Sequence, residues 1–412
     1  MDEHFNFPRG SKMLNKLSIL ILIGLMTAVP VFSQFDGVSP IGANTAQDLY
    51  SPSMAGRGGF TTSRGGAPAA ALNPAAEGDA KRMIFDIGYI GMPGFGSESG
   101  WGNAFNLGAI FPTRVGVFGG SFRIIQSPFN TNFPVETSFM GNLIASKELY
   151  PGLNLGIGLN IGYSTSKSLI LSGDFGIRMN HGKIGPLENF TWAAVFRSAG
   201  VSWIPSFITP AAGLSFDFIT LRGEPGKPSP FRMGLATDIY FPSFQNVAGK
   251  LGLNMVIADL ITVSATSGFN IHEIALGKNA SFIPSIGIMA NIKFHSSRTR
   301  KPLLSDGELA IDFAAKPLYE NIWGFGGGVT WTLGAADNNP PVITVDYPHT
   351  QWISPNYDRN SSYLEFPVSI TDERYIVEWV FQILDESNQK VRTFRNTDRL
   401  PAARGFRDFG TG

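Results

Sequence analysis

Ten charged residues lie at alternate positions in segments whose intervening positions are apolar. They comprise five acids and five bases, namely Asp86, Arg123, Asp174, Arg178, Arg197, Asp217, Arg232, Asp238, Lys293 and Asp312. A charge on the lipid-facing side of a membrane strand costs about 2–4 kcal/mol near the bilayer midplane. Because these charges occupy only one of the two faces of each alternating segment, that face is expected to line a lumen. The balanced signs argue against strong ion selectivity, and we expect these side chains either to be solvated or to pair across the lumen and hold an inner segment.

Residues that could support catalysis or bind a metal do not form a recognisable constellation. No Gly-x-Ser-x-Gly motif occurs, and His181, His272, His295 and His349 lack the spacing of metal ligands. The chain contains no cysteine, which excludes thiolate ligands and a disulfide framework. The sequence therefore predicts no enzyme, no metal site and no cofactor.

Composition narrows the class of protein further. The 412 residues include 32 Lys plus Arg and 32 Asp plus Glu, so the formal net charge is zero. This balance argues against nucleic-acid binding, and the 12% aromatic content argues against disorder. Low charge combined with 48 glycines and 33 phenylalanines is compatible with a soluble all-β protein or with a membrane β-barrel.

Alternation with a period of two dominates the chain from residue 83 to residue 334. In its clearest segment, residues 153–163, Leu, Ile and Tyr occupy one face while Asn and Gly occupy the other. We count about fourteen such segments, and many reach the roughly 9–11 residues that a tilted membrane strand needs. The predicted fold class is therefore all-β, a transmembrane antiparallel β-barrel over residues 83–334. A soluble β-sandwich or propeller is the alternative interpretation, because its strands alternate as well.

Aromatic residues lie near the ends of several predicted strands. They are Tyr163, Trp192, Trp203, Tyr240, Phe241, Phe294 and Trp331. Membrane barrels carry aromatic girdles where the apolar band meets the headgroups. We therefore predict that these side chains belong to the outer girdles.

The first 34 residues have the pattern of an export signal. Lys12 and Lys16 precede an apolar run from Leu17 to Val31, and a cleavage site follows at Val31-Phe32-Ser33. The run of about 15 residues is shorter than the ~20 that a transmembrane helix requires. We predict a cleaved signal peptide over residues 1–34, and a single transmembrane anchor is the alternative.

Residues 35–82, called the hatch segment below, do not alternate. Glycines cluster at 56–59 and 65–66, and an alanine run follows at 69–71. Glycine permits close backbone approach, and the alanine run can form one helical turn that ends at Asn73-Pro74. Small residues of this kind suit a segment that threads a lumen.

Residues 53–76 resemble the amino-terminal signature of the long-chain fatty-acid transporter (FadL-like) family of outer-membrane proteins. The resemblance lies in the Gly-Arg-Gly-Gly stretch, the alanine run and the sequence Leu-Asn-Pro-Ala-Ala at 72–76. That family includes hydrocarbon-uptake channels and related barrels of spirochaetes and Bacteroidetes, and the chain resembles the spirochaete members in particular. Fourteen strands is also the number that the family has.

The resemblance implies a hatch inside the barrel, with a hydrophobic ligand that arrives from outside and leaves sideways through a gap in the wall. Asn73, Pro74 and Ala75 match the family's Asn-Pro-Ala motif near that hatch and are the implied gating residues. Leu72 stands where the family has an aromatic residue, and no ligand-pocket residues can be matched.

A carboxyl-terminal module over residues 342–412 follows a polar, proline-broken linker at 335–341. Its alternating segments predict an immunoglobulin-like β-sandwich, and Ser354-Pro355-Asn356-Tyr357-Asp358 resembles the start of repeats in flagellar hook-cap and bacterial surface proteins. About 70 residues are fewer than the ~100 of a full sandwich. We therefore expect a module that is incomplete or is completed by a partner strand.

These features predict an outer-membrane channel for passive uptake of hydrophobic small molecules such as long-chain fatty acids. Two alternatives remain: a non-transporting barrel that docks envelope or secretion partners through residues 342–412, and a soluble extracytoplasmic β-protein. An even-stranded barrel has both termini in the periplasm, so we expect the module there. The expected partners are a hydrophobic small molecule, outer-membrane lipid and a periplasmic or envelope protein, with no nucleic acid.

Overall fold

The computed structural model describes residues 49, 61–96, 99–129, 136–165, 168–199, 208–221, 229–244, 246–275, 277, 282–295, 306–319, 321–334, 342–345, 368–371, 379–384, 387 and 389–396. The chain divides into two compact units, Met1–Gly334 and Ala335–Gly412. The predicted signal peptide over residues 1–34 lies outside the described residues.

Within the described part of the first unit, fourteen strands form one closed antiparallel barrel. They are β1 (Met83–Gly94), β2 (Gly100–Pro112), β3 (Val117–Gln126), β4 (Ser138–Tyr150), β5 (Leu153–Ser164), β6 (Ser168–Ile184), β7 (Leu187–Ala199), β8 (Thr209–Leu221), β9 (Phe231–Tyr240), β10 (Ala248–Ile257), β11 (Ile261–Asn270), β12 (Ser285–His295), β13 (Asp306–Tyr319) and β14 (Ile322–Leu333). The helical elements are α1 (Ala67–Leu72), a 3₁₀ helix (Pro242–Phe244) and α2 (Ile271–Ala275).

The barrel closes between its first and last strands. Ile84 on β1 is opposite Ile110 on β2 and opposite Thr332 on β14. The strands run from 10 residues in β3 to 17 residues in β6, which is long enough to span a hydrocarbon core. The prediction of a fourteen-stranded antiparallel barrel is confirmed. We call the end where β1 begins and β14 ends the near end, and the end where β1 leads into β2 the far end.

The two faces of each strand differ in the way the alternation predicts. On β5, Ile157, Leu159 and Ile161 are 60%, 42% and 46% exposed on the outer wall. Their neighbours Asn154 and Asn160 point inward and are buried. Large apolar side chains that are exposed to water would be unfavourable over a whole barrel, so this outer wall is suited to lipid.

Aromatic pairs lie near both ends of the outer wall, and further exposed aromatic side chains lie between them. At the far end, Phe139 stacks on Tyr163 with ring centroids 5.9 Å apart. At the near end, Phe85 and Phe111 meet edge to face at 5.7 Å. Two such bands are typical of the interfacial girdles of a membrane barrel.

The girdle prediction is wrong for Tyr240. This side chain is 1% exposed and packs in the lumen in a cluster with Ala71 and Leu72. The physical reason is phase, because Tyr240 lies an even number of residues from Asp238 on β9 and so shares its inward face. Trp203 lies outside the described residues.

The second unit contains short strands in two separate sheets among its described residues. One sheet pairs β15 (Val342–Val345) with β16 (Val368–Thr371), and the other pairs β17 (Trp379–Leu384) with β18 (Lys390–Asn396). The immunoglobulin-like fold of this unit stays a prediction.

Among the residues that the structure describes, no helix has the length and apolar character needed to cross a bilayer.

Candidate functional site

The described part of the hatch segment lies inside the barrel around α1. All six residues of α1 are buried, from Ala67 to Leu72. Pro68 stands in the first turn, where a missing N–H costs nothing. Asn73 ends the helix because its backbone is extended, and its N–H donates to the Ala69 carbonyl at 2.9 Å. The chain therefore forms a short plug of small residues in the lumen.

Glycines on the barrel wall allow this plug to approach the strands closely. A Cβ at Gly108 would overlap the Cβ of Ala67, and one at Gly213 would overlap the Thr61 hydroxyl. On the neighbouring strands β5 and β6, a Cβ at Gly156 or Gly176 would overlap the backbone or side chain of residues 73–75. The wall and the plug are thus complementary in shape, and larger wall residues would exclude the plug.

Asn73 organises the turn that follows α1. It is fully buried, and its side-chain Nδ2 donates to the Thr61 carbonyl at 2.7 Å. Its Oδ1 accepts from the Ala75 N–H at 3.0 Å. Pro74 and Ala75 are buried beside it. The Asn-Pro-Ala turn therefore joins the part of the plug that follows α1 to the part that precedes it, at Thr61.

Two wall carboxylates bind the backbone of the hatch segment. Asp86 on β1 accepts from the Ala67 N–H at 2.8 Å and from the Thr330 hydroxyl at 2.8 Å. Asp238 on β9 accepts from the N–H and the hydroxyl of Thr61. These two residues therefore hold the plug to β1 at Ala67 and to β9 at Thr61.

Glu77 closes the plug on itself. Its Oε1 accepts from the N–H groups of Gly65 and Gly66 at 2.9 and 3.0 Å. Beside it, Arg64 forms an ion pair with Asp79. Burial raises the pKa of the Glu77 carboxyl above its ordinary value of 4.5, an effect that the nearby Arg64 and the two N–H groups oppose.

The ten charged residues singled out from the sequence fall into two groups. Seven are buried on the inward face, namely Asp86, Arg123, Asp174, Arg178, Arg197, Asp238 and Asp312. The other three are more exposed: Arg232 is paired with Asp217 at 3.6 Å and with Asp259, whereas Lys293 is exposed. Three of the buried seven, Asp86, Arg178 and Asp238, contact the hatch segment directly.

A polar network lines the wall from β4 to β7. Asn142 donates to Asn160 at 2.6 Å, and Asn160 donates to Asp174 at 2.9 Å. Asp174 also accepts from the Ser198 N–H at 2.7 Å. This wall is therefore a hydrogen-bonded surface rather than a set of isolated charges.

An apolar cluster faces the lumen in its far half, in addition to the apolar wall residues that pack on α1. We call it the far-end pocket, and it consists of Ile90, Met92, Ala104, Ile125, Leu318 and Ile322, with Leu49 packed against them. Leu49 is fully buried, and its carbonyl accepts from the Asn106 side chain at 3.0 Å. Inward-facing apolar residues of this size are unexpected in a water-filled channel.

Sequence reasoning missed several residues that shape this site. Thr61, Glu77 and Leu49 lie in a segment whose sequence has no periodicity, so no sequence pattern predicted their contacts in the lumen. Lys250 is buried on β10 opposite Asp238, and the phase of β10 would have included it with the other inward charges.

Among the described residues, no group of three or more His, Cys, Asp or Glu side chains is placed to hold a metal ion. His181 accepts from the Trp192 indole N–H at 3.0 Å near the near end, which is a structural contact.

No protein-family model and no curated protein matches the chain. Solved structures with a similar barrel include a Pseudomonas aeruginosa FadL homologue at 11% identity and a TM-score of 0.36, covering 69% of this chain and 98% of that one. The Pseudomonas putida toluene transporter TodX is similar at 9% identity and a TM-score of 0.33, covering 68% and 95%. Outer membrane protein Omp33 of Acinetobacter baumannii is similar at 9% identity and a TM-score of 0.34, covering 61% and 98%. The function proposed below rests on this chain's own residues.

The contact between Gly176 and Asn73 yields a first prediction. Gly176→Ala places a methyl group where the Asn73 Oδ1 lies, and such overpacking costs about 1–3 kcal/mol. We expect the plug to be displaced and the passage of a small sugar into swelling liposomes to rise several-fold.

The control for this prediction is Gly173→Ala on the same strand. A Cβ there faces outward and meets its nearest atoms at 3.7 Å, an ordinary contact. We expect wild-type permeability from this variant. Equal sugar permeation by wild type and a folded Gly176→Ala barrel would contradict the docking role of Gly176.

Glu77 yields a second prediction, on pH. Because its pKa is raised when the plug is docked, docking is fully stable below about pH 4.5 and weakens as pH rises through the raised value. The charged or titratable groups that act on Glu77 are Arg64, Asp79, Asp86 and Arg178. We expect a single Ser63→Cys reporter to react with a polar thiol reagent faster as pH rises through this window, after correction for thiolate formation.

Glu77→Gln keeps an acceptor oxygen for both glycine N–H groups but does not titrate. We expect this variant to flatten the corrected pH profile of labelling. Glu188→Gln, which alters an acid paired with Lys183 at 3.7 Å outside the hatch segment, serves as the control and should leave the profile as in wild type. An unchanged slope in Glu77→Gln would assign the pH dependence to another group.

Proposed function

We propose that the protein is an outer-membrane channel for passive uptake of hydrophobic small molecules such as long-chain fatty acids. The observation that carries the proposal is the far-end pocket, an apolar surface of inward-facing residues in the far half of the lumen. Burial of apolar surface contributes roughly 25 cal/mol per Å². Transfer of an apolar chain from water to that pocket is therefore favoured by the apolar area that the chain buries, less the area of Leu49 that it displaces.

The proposed orientation places the near end in the periplasm. The barrel has an even number of strands, with β1 beginning and β14 ending at the same end. In bacterial barrels of this kind both termini are periplasmic. The far-end pocket would then receive ligand from outside the cell, and the plug would separate it from the periplasm.

The proposed path has three stages. A ligand first displaces Leu49 from the far-end pocket. The hatch segment then rearranges around Asn73, Pro74 and Ala75, which are the gating residues of the proposal. Their contacts join the part of the plug before α1 to the part after it. The ligand finally leaves through the wall or past the near end. The concentration gradient of the ligand is the driving force for all three stages.

A sideways exit through the wall requires two neighbouring strands that are joined by few residue pairs. Among the described residues, the shortest ladder joins β11 to β12, with six residue pairs from Ile261 opposite Ala290 to Thr266 opposite Ser285. By comparison, β1 and β2 are joined by eleven residue pairs. We therefore place the proposed wall gap between β11 and β12.

A deletion tests the gating role. The full chain and a variant lacking residues 45–76 are expressed in a bacterial host whose own long-chain fatty-acid uptake is absent. We expect the wild type to restore accumulation of labelled fatty acid, and the deletion to change that rate and to admit small polar solutes. Lack of accumulation with a folded wild-type barrel would reject transport, and unchanged rates in the deletion would reject gating by the hatch segment.

We propose in addition that residues 342–412 dock a periplasmic or envelope protein. The favouring observation is that the described strands of this unit form two two-stranded sheets, and the edges of such small sheets are typical sites for pairing with a strand of another protein. Photo-crosslinking from β17 and β18 in intact cells should capture one specific partner. Only non-specific products from a correctly assembled barrel would contradict docking.

A further inference from the structure

We infer that the connection between β11 and β12 binds the lipid leaflet at the far end of the barrel, through α2 (Ile271–Ala275) and residues 282–284. We call these residues the rim patch. Its partner is the boundary between the headgroups and the acyl chains of that leaflet. This placement goes beyond the proposed function, because it concerns how the barrel is seated in the membrane and not what passes through it.

The last part of β11 extends past the beginning of β12. The residue pairs between these two strands end at Thr266 opposite Ser285, whereas β11 continues alongside β10 as far as Asn270. At roughly 3.3 Å per residue, the last four residues of β11 reach about 13 Å beyond that final pair. On the β12 side of this stretch, the rim patch therefore stands where the barrel wall has no further paired strand among the described residues.

Two hydrogen bonds hold the rim patch against the outer side of the barrel. The Ile271 N–H donates to the Val247 carbonyl at 3.0 Å, so α2 starts directly at the end of β11. The Ser267 hydroxyl donates to the Phe282 carbonyl at 2.9 Å. Ser267 is two residues from the exposed Phe269 on β11 and shares its outward phase. The chain at Phe282 therefore lies on the lipid-facing side of β11.

The side chains of the rim patch are apolar and exposed. Ile271, Ile274 and Phe282 are 52%, 46% and 48% exposed, and Ile283 is exposed as well. Within α2, Ile271, Ile274 and the exposed Ala275 are spaced by three and four positions, which places them on one side of the helical turn. The two positions between Ile271 and Ile274 are polar in the sequence. Adjoining apolar side chains of this size indicate an interaction surface.

Continuity with the barrel wall identifies lipid as the partner. Phe269 on β11 and Ile286 and Ile288 on β12 are exposed on the outer wall beside the rim patch. The outer wall of the transmembrane barrel faces lipid, and the rim patch continues its apolar surface beyond the start of β12. A protein partner would have to displace lipid from that adjoining wall, so the leaflet is the occupant that the surface favours.

The backbone of the rim patch sets its depth in the leaflet. A helix of five residues leaves most of its terminal N–H and C=O groups without partners inside the helix. Water in the headgroup layer can satisfy such groups, whereas the hydrocarbon core cannot. Amphipathic segments resolve this conflict by lying in the interface with their apolar side chains toward the acyl chains. The rim patch therefore lies at the headgroup level, above the hydrocarbon core.

The first test reads the surroundings of a fluorophore on Ile274→Cys, in a chain that has no native cysteine. The full chain is placed singly in phosphatidylcholine nanodiscs, so that both faces of the membrane are open to water. Phosphatidylcholine that carries a spin label near the carbonyl end of its acyl chain should quench this fluorophore several-fold more strongly than aqueous iodide does. Ile288→Cys on the outer wall is the lipid-facing control, and Arg114→Cys in the exposed turn between β2 and β3 is the water-facing control.

The second test asks whether α2 holds the rest of the rim patch in the leaflet. The fluorophore is moved to Phe282→Cys, and the pair Ile271→Gln and Ile274→Gln is introduced to remove the apolar side of α2. We expect quenching by the spin-labelled lipid to fall several-fold and quenching by iodide to rise. The pair Ile271→Leu and Ile274→Leu keeps the apolar surface and should leave both values as in wild type. Heat-modifiable gel mobility establishes that each variant has a folded barrel.

Each other outcome overturns the placement. Stronger quenching by iodide than by lipid at Ile274→Cys would show that the rim patch projects into water. Protection from both quenchers would show that protein covers it. Equal lipid quenching at Phe282→Cys with and without the glutamine pair would reject binding through α2. None of these measurements uses a transported molecule, so their result is independent of the uptake experiments.

Discussion

The close approach of backbone to barrel wall is the constraint on which the site depends. The backbone of the hatch segment approaches the wall most closely where the facing strand residues carry no side chain, as at Gly108, Gly156, Gly176 and Gly213. A gap of about 0.5–1 Å already forfeits a quarter to a half of the dispersion attraction, so this fit sets the position of α1. The hydrogen bonds of Asp86 and other wall residues then secure a segment whose path the glycines have already determined.

The lumen combines two surfaces with different chemistry. The wall from β4 to β7 carries a chain of amides and carboxylates, including Asn160 and Asp174, whose hydrogen bonds hold one another in place. The far-end pocket, with Met92 and Ile125, offers only apolar contacts. The lumen therefore presents hydrogen-bonding groups on one part of its wall and apolar contacts on another.

Much of the fold could be predicted from the sequence because a strand has a strict period of two. Phase alone indicates the outer position of Leu159 and the inward position of Asp238. The same rule assigns Tyr240 inward, and the error there came from giving aromatic identity more weight than phase. The hatch segment is different, since contacts such as that of Glu77 with Gly65 depend on a non-periodic path through a volume that exists only after the barrel closes.

Asp86 has a consequence for assembly. Its two carboxylate oxygens join the first strand to Thr330 of the last strand, 244 residues away, and to the Ala67 N–H of the plug. Asp86 therefore contacts both the last strand, at the seam where β1 meets β14, and the plug. A barrel that sealed before its amino-terminal segment had folded inward would leave this carboxylate with only half of its donors, and the segment would then have to thread through a closed ring. Closure of the seam between β1 and β14 and docking of the plug are thus coupled through the carboxylate of Asp86.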